Sequence, residues 1–108
     1  MMDENEFRKH AEPALEALKQ KLIEAEDSAE FEVEDQAGAL HISFDDGGKF
    51  IISPNAPARQ IWISALATSF KLDWTGTEFV LAKSGERLAP LVGRLINEKL
   101  GEDAVSLE

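Results

Sequence analysis

Three glutamates spaced two residues apart, Glu30, Glu32 and Glu34, are the densest chemistry in this sequence. The segment Glu30-Phe31-Glu32-Val33-Glu34 alternates acidic and apolar side chains, which is the period of a half-buried strand. On such a strand the three carboxylates share one side, with about 7 Å between successive members. Glu24, Glu26 and Asp27 come just before them, Glu4 lies at the start of the chain, and Asp45 follows the next apolar run. Carboxylate oxygens are hard ligands, suited to Fe(II), Fe(III), Mn(II), Ca(II) or Mg(II). No spacing here builds a compact shell of four or more protein ligands. The expected binding is therefore loose, largely hydrated and tolerant of several cations.

The charge is concentrated. Fourteen of the 21 acidic side chains fall in residues 1–46, against four of the 11 basic ones. The whole formal net charge of −10 thus sits in the first part of a 108-residue chain. Such a field attracts cations and basic protein surfaces, and salt weakens it. It has the wrong sign for a nucleic-acid partner. An apolar fraction of 44% fits a chain that folds around a core rather than a disordered one. Cysteine is absent, which excludes thiolate zinc sites, cysteine nucleophiles and cysteine-held clusters. No apolar run has membrane-spanning length. The acidic opening MMDENEFRKHAEP does not read as a signal or transit peptide.

Catalytic patterns are thin. There is no nucleophile elbow, phosphate-cradling glycine loop or zinc signature. Acid–base work by two carboxylates needs a cleft that separates their pKa values, and an exposed helix and strand do not supply one. The expectation is a protein that is not an enzyme. His10 and His41 lack paired metal-ligand spacing, so both are expected to be ordinary surface histidines. His10 would approach the acidic helix face and His41 would project from the solvent face of a strand.

The elements that must position these groups follow from periodicity. Residues 3–26 read as a helix, because Phe7, Ala11, Leu15, Leu18 and Leu22 recur at spacings of four and three. Glu12, Glu16, Gln20 and Glu24 lie four apart on another face. Pro13 should kink this helix unless the helix begins there. Alternation then gives strands at 30–34, 40–44, 49–53, 60–64, 70–74 and 78–82, with a loop at 54–57. Asp45-Asp46-Gly47-Gly48 is a hairpin signal, since these residues tolerate positive φ. Ile61 and Ile63 point inward, leaving Gln60, Trp62 and Ser64 on the opposite face. A tryptophan left on a polar face marks a contact surface. Trp74 shares a strand face with Phe70 and Leu72 and is expected in the core. A closing helix over 88–100 buries Leu88, Leu91, Val92, Leu95, Ile96 and Leu100, and Gly101 stops it. The expected architecture is a single α+β domain over residues 1–108. It is a two-layer sandwich with the N- and C-terminal helices on one face of an antiparallel sheet of about six strands.

Several segments carry a family resemblance. They are Glu6-Phe7, the acidic stretch 24–35, Gly38-Ala39-Leu40, Gln60-Ile61-Trp62, Asp73-Trp74-Thr75-Gly76 and Ser84-Gly85-Glu86. In order and spacing the chain resembles bacterial frataxins of the CyaY type, over essentially its whole length. The resemblance implies a role in iron–sulfur cluster assembly, exerted on a cysteine desulfurase and its scaffold protein rather than by catalysis. It implies weakly bound Fe(II) or Fe(III) on an acidic ridge, with Glu4, Glu24, Glu26, Asp27, Glu30, Glu32, Glu34 and Asp45 as candidate ligands here. Other divalent cations would serve. Glu12 and Glu16 would join the docking ridge. Trp62, flanked by Gln60 and Ser64, would contact the partner complex, with Asn55 as a polar contact and Lys71 in place of an arginine. That replacement keeps the charge and loses the bidentate fork. The chain departs from the family at Lys19, Gln20 and Ile23, where the helix ridge is usually acidic. The strand half of the ridge is therefore the better metal candidate. The resemblance further implies a bacterial cytoplasmic protein, mainly monomeric, with iron-dependent oligomers open to it. Two other readings are a ferroxidase and iron store acting at surface carboxylates, and a metal-independent acidic adaptor.

Overall fold

The computed structural model describes residues 2–27 and 29–107; Met1, Ser28 and Glu108, the last of the tail, lie outside the described residues. The chain forms α1 (Glu4–Ala25), β1 (Phe31–Gln36), β2 (Ala39–Phe44), β3 (Lys49–Asn55), β4 (Gln60–Ala65), β5 (Thr68–Trp74), β6 (Phe79–Leu81), β7 (Glu86–Arg87) and α2 (Leu88–Leu100). The strands make one antiparallel meander in sequence order. Both helices pack on the same face, because Leu18 and Leu22 of α1 and Leu91 and Ile96 of α2 share one core with Ile42, Ile52, Ile63 and Leu72. The other face carries the polar side chains of the alternating strands.

α1 starts where Asp3 caps it: the Asp3 carboxylate accepts the Glu6 amide hydrogen at 2.7 Å. Its buried positions are the predicted stripe of Phe7, Ala11, Leu15, Leu18 and Leu22. The helix begins nine residues before Pro13 and runs on through it, with the Pro13 ring exposed. α2 ends as expected at Gly101, whose φ of 73° is the left-handed cap conformation. Asn97 ties down the tail. Its side-chain oxygen accepts the Ala104 and Val105 amides, and its side-chain amide donates to the Val105 carbonyl, each at 2.9 Å. Leu107 is thereby held buried over Gly93 of α2.

The structure corrects the sequence reading in four places. The sheet has seven strands, not about six. The extra one, β7, is two residues long, pairing Arg87 with Val80 and Glu86 with Leu81, too short to show any period. Pro54 and Asn55 belong to β3 rather than to a loop, paired with Ile61 and Gln60. Beyond Ile52 β3 pairs on one side only, where a missing proline N–H is tolerated. β4 and β5 reach further than expected, joined by the two-residue turn Leu66-Ala67 with φ of 53° and 61°. Trp74 is half-buried at the margin of the core rather than inside it.

Candidate functional site: an acidic edge and an open sheet face

The acidic residues fall along α1, in the turn after it, on β1, an outer strand of the sheet, and in the β2–β3 turn. Strand alternation sends Phe31 inward and leaves Glu32 and Glu34 exposed, opposite Ser43 and His41 on β2. Glu30 is exposed just ahead of the strand, and Asp27 lies exposed in the turn after α1. Glu24 is exposed in the last turn of α1, which has no basic residue to offset it. Asp45 is exposed in the β2–β3 turn. Its neighbour Asp46 is bound at 2.6 Å by the Lys99 ammonium, which holds that carboxyl below its ordinary range.

Three of the candidate ligands are already engaged. Glu26 accepts the edge amide of Val33 at 2.6 Å, so one of its oxygens closes the sheet margin. Glu4 lies 3.9 Å from Arg8 one turn along the helix. Glu34 accepts a hydrogen bond from the Gln36 side chain at 3.0 Å. Glu26, Glu32 and Glu34 line one shallow groove beside Ser43. Even so, among the described residues no three histidine, aspartate or glutamate side chains converge closely enough to hold a metal ion. The donor set suits a hydrated cation held by field and outer-sphere contact, not a fixed coordination shell.

On the inner side of the ridge Glu12 and Glu16 of α1 and Asp35 of β1 line a second groove, with Arg8 among them. Lys19, the departure in the middle of the helix ridge, reaches to 3.7 Å from Asp35. It thus links helix to strand and removes one negative charge from the ridge.

The open sheet face holds the second set of candidates. Lys71 places its ammonium 4.8 Å from the centre of the Trp62 ring, and the Trp62 indole N–H donates to the Gln60 side-chain oxygen at 2.9 Å. Gln60 in turn donates to Asp73 at 2.9 Å. Gln60, Trp62, Lys71 and Asp73 therefore form one polar-aromatic network across β4 and β5, whose register pairs Trp62 with Lys71 and Gln60 with Asp73. Asp73 was not among the sequence candidates, although it is the residue that opens the Asp-Trp-Thr-Gly segment. Trp62 is half-buried, and Ser64 is exposed two residues on. Asn55 uses its side-chain oxygen to accept the Ala58 amide at 3.1 Å, fixing the β3–β4 turn. The acidic edge and the Trp62 network are joined by the open face: Glu34 faces His41, His41 faces Ile51, and Ile51 faces Ser64. The Nδ1 atom of His41 is buried in this row without a hydrogen-bond partner among the described residues. His10 does not turn toward the acidic face. It stacks on Trp74 with ring centres 4.1 Å apart, and Trp74 also leans on Phe79 at 5.0 Å.

Comparison with known proteins places this geometry. A frataxin-like domain is matched over residues 1–102. The iron-sulfur cluster assembly protein CyaY of Janthinobacterium sp. (strain Marseille) is 29% identical over 103 residues, spanning 93% of this chain and 92% of that protein. Frataxin from Psychromonas ingrahamii superposes with a TM-score of 0.82 at 20% identity, covering 99% of this chain and 97% of that one. Trimeric frataxin from the yeast Saccharomyces cerevisiae superposes with a TM-score of 0.67 at 22% identity, covering 97% of this chain and 83% of that one. At those identities the two structures speak for the fold, while the domain match runs almost end to end: the chain belongs to the frataxin-like family.

Proposed function

We propose that this protein is a non-catalytic, iron-binding modulator of iron–sulfur cluster assembly that docks on the cysteine desulfurase and its scaffold protein. The family match and the CyaY relative's name support the pathway. The observation that carries the docking mode is the exposed row of Glu30, Glu32 and Glu34, continuous across the open face with the Trp62 network. A dense negative edge steers a basic partner and sets orientation, and the half-buried aromatic beyond it supplies contact area. Iron is cargo or signal in this reading. It binds weakly and hydrated along α1 and β1, through Glu4, Glu24, Asp27, Glu30, Glu32, Glu34 and Asp45, with Glu26 contributing only its second oxygen. Other hard divalent cations would compete. The protein works in the bacterial cytoplasm, mainly as a monomer.

Binding to the cognate cysteine desulfurase at low and high salt, with and without Fe(II), tests this. Micromolar or tighter binding that weakens with salt is expected. Absence of binding in every condition overturns the proposal, and binding indifferent to salt overturns the acidic docking mode.

A further inference from the structure

α1 divides the molecule by charge. Its Glu12 and Glu16 side faces β1, β2 and β3, while its other flank lines a cleft of about 500 Å³ against the β5–β6 turn and the start of α2. The cleft exists because small side chains face each other: Ala14 and Ala17 on α1, and Ala89 and Pro90 on α2, leave the two helices unfilled between them. Its volume falls within the usual range for a small-molecule site, roughly 300–1,000 Å³. One wall is aromatic, made by Trp74 with His10 stacked on it.

In a chain of formal net charge −10, the mouth of this cleft is basic. Among the described residues Lys9, Lys21 and Arg87 line it, against one carboxylate, that of Glu78. Lys9 and Lys21 make no ion pair among the described residues. Arg87 meets Glu78 only at 4.0 Å through Nε, which leaves the outer fork of its guanidinium without another partner among the described residues. A guanidinium fork matches a carboxylate in geometry as well as charge.

We infer that this cleft binds a small aromatic carboxylate, with the ring between the Ala/Pro walls beside the stacked His10–Trp74 pair and the carboxylate on Arg87 and a flanking lysine. The site lies apart from the acidic edge and the Trp62 network, so it stands or falls independently of the docking function.

The test is a titration of the full-length protein with 2-naphthoate, followed by amide and indole NMR shifts, with 2-naphthalenemethanol as the uncharged control. Saturable shifts are expected at the Trp74 indole and along residues 9–21 and 87–90, with Trp62 unmoved. The alcohol should bind more weakly by about tenfold, or about 1.4 kcal/mol, as should naphthoate to the Arg87→Gln, Lys21→Gln variant, since each loses the charge-assisted fork. Both substitutions are on the surface, and an unchanged melting temperature confirms that the fold survives them. Ala17→Phe, which fills the cleft from an exposed helix position without changing charge, should abolish the shifts. Three results would each overturn the inference: no saturable shift at millimolar naphthoate, equal affinity for the alcohol, or binding that survives Ala17→Phe.

Discussion

The Glu26 carboxylate accepts the backbone amide hydrogen of Val33 at 2.6 Å. That contact turns a candidate metal ligand into a clasp between the turn after α1 and the free margin of the sheet. A part-buried hydrogen bond to a charged acceptor contributes about 1.5–3 kcal/mol. Glu26→Ala should therefore lower stability by about 2 kcal/mol, and Glu26→Gln, which keeps an acceptor oxygen, by less. Urea unfolding of both variants measures this. Equal losses would mean that the charge and the acceptor contribute nothing separable.

Glu30, Glu32 and Glu34 bear exposed side chains. Changing all three to lysine reverses the field of β1 without touching the core. The circular dichroism spectrum should be retained, while affinity for the desulfurase falls by at least about tenfold at low salt, the usual scale of electrostatic complementarity. A triple variant that binds as well as the parent would remove the acidic edge from the docking surface.

The two tryptophans should respond differently. Trp62 is half-buried on the open face, held by Gln60 and by Lys71 above its ring. Trp62→Ala should cost about 1 kcal/mol, the scale of an exposed cation–π contact and one hydrogen bond, and should weaken partner binding. Trp74 packs on His10 and Phe79 at the core margin, so Trp74→Ala should cost about 3 kcal/mol, near the low end for removing a buried aromatic. Denaturation midpoints of the two variants give the comparison, and a reversed order would contradict the face assignment.

Acid should loosen the molecule at two named places. Lys99, hydrogen-bonded to Asp46, and Arg94, hydrogen-bonded to Glu86, hold both carboxyls below their ordinary ranges in the folded state. A carboxyl with a depressed folded pKa binds a proton more readily when unfolded. Its stabilisation is therefore complete above the ordinary carboxylate range and is lost as pH falls through the depressed folded value. Stability should decline below about pH 4, the usual carboxylate range. The decline should be shallower in the Asp46→Asn, Glu86→Gln variant, as thermal melts between neutral and acid pH would show. Parallel pH profiles would contradict the linkage.

The Leu66-Ala67 turn sets φ of 53° and 61° at two residues that carry a Cβ. Left-handed backbone costs roughly 1–2 kcal/mol per such residue. Leu66→Asn with Ala67→Gly supplies the pair that this two-residue turn favours and should raise stability by about 1 kcal/mol. It also removes an exposed leucine, 41% accessible, from the hairpin tip. A fall in melting temperature would mean that Leu66 packs usefully despite its exposure.

The sequence by itself determined the layer architecture. The stripe from Phe7 to Leu22 and the alternation from Phe31 onward each have one apolar side, and one-sided elements have few ways to bury it. Gly101 and the Asp-Asp-Gly-Gly hairpin were legible because their backbone conformations demand those residue types. Leu66-Ala67 and β7 were not legible, the first because its turn is built from residues that do not favour it, the second because two residues carry no period. The candidate site was legible as a list of carboxylates on one strand and one helix. Tertiary structure decided that Val33 takes up Glu26, and that beside the candidates Lys99 takes up Asp46 and Lys19 reaches Asp35. The stacking of His10 on Trp74 and the cleft between Ala17 and Pro90 likewise join residues more than 60 positions apart. Periodicity along the chain reports which side of an element faces the core, but not which element lies across from it.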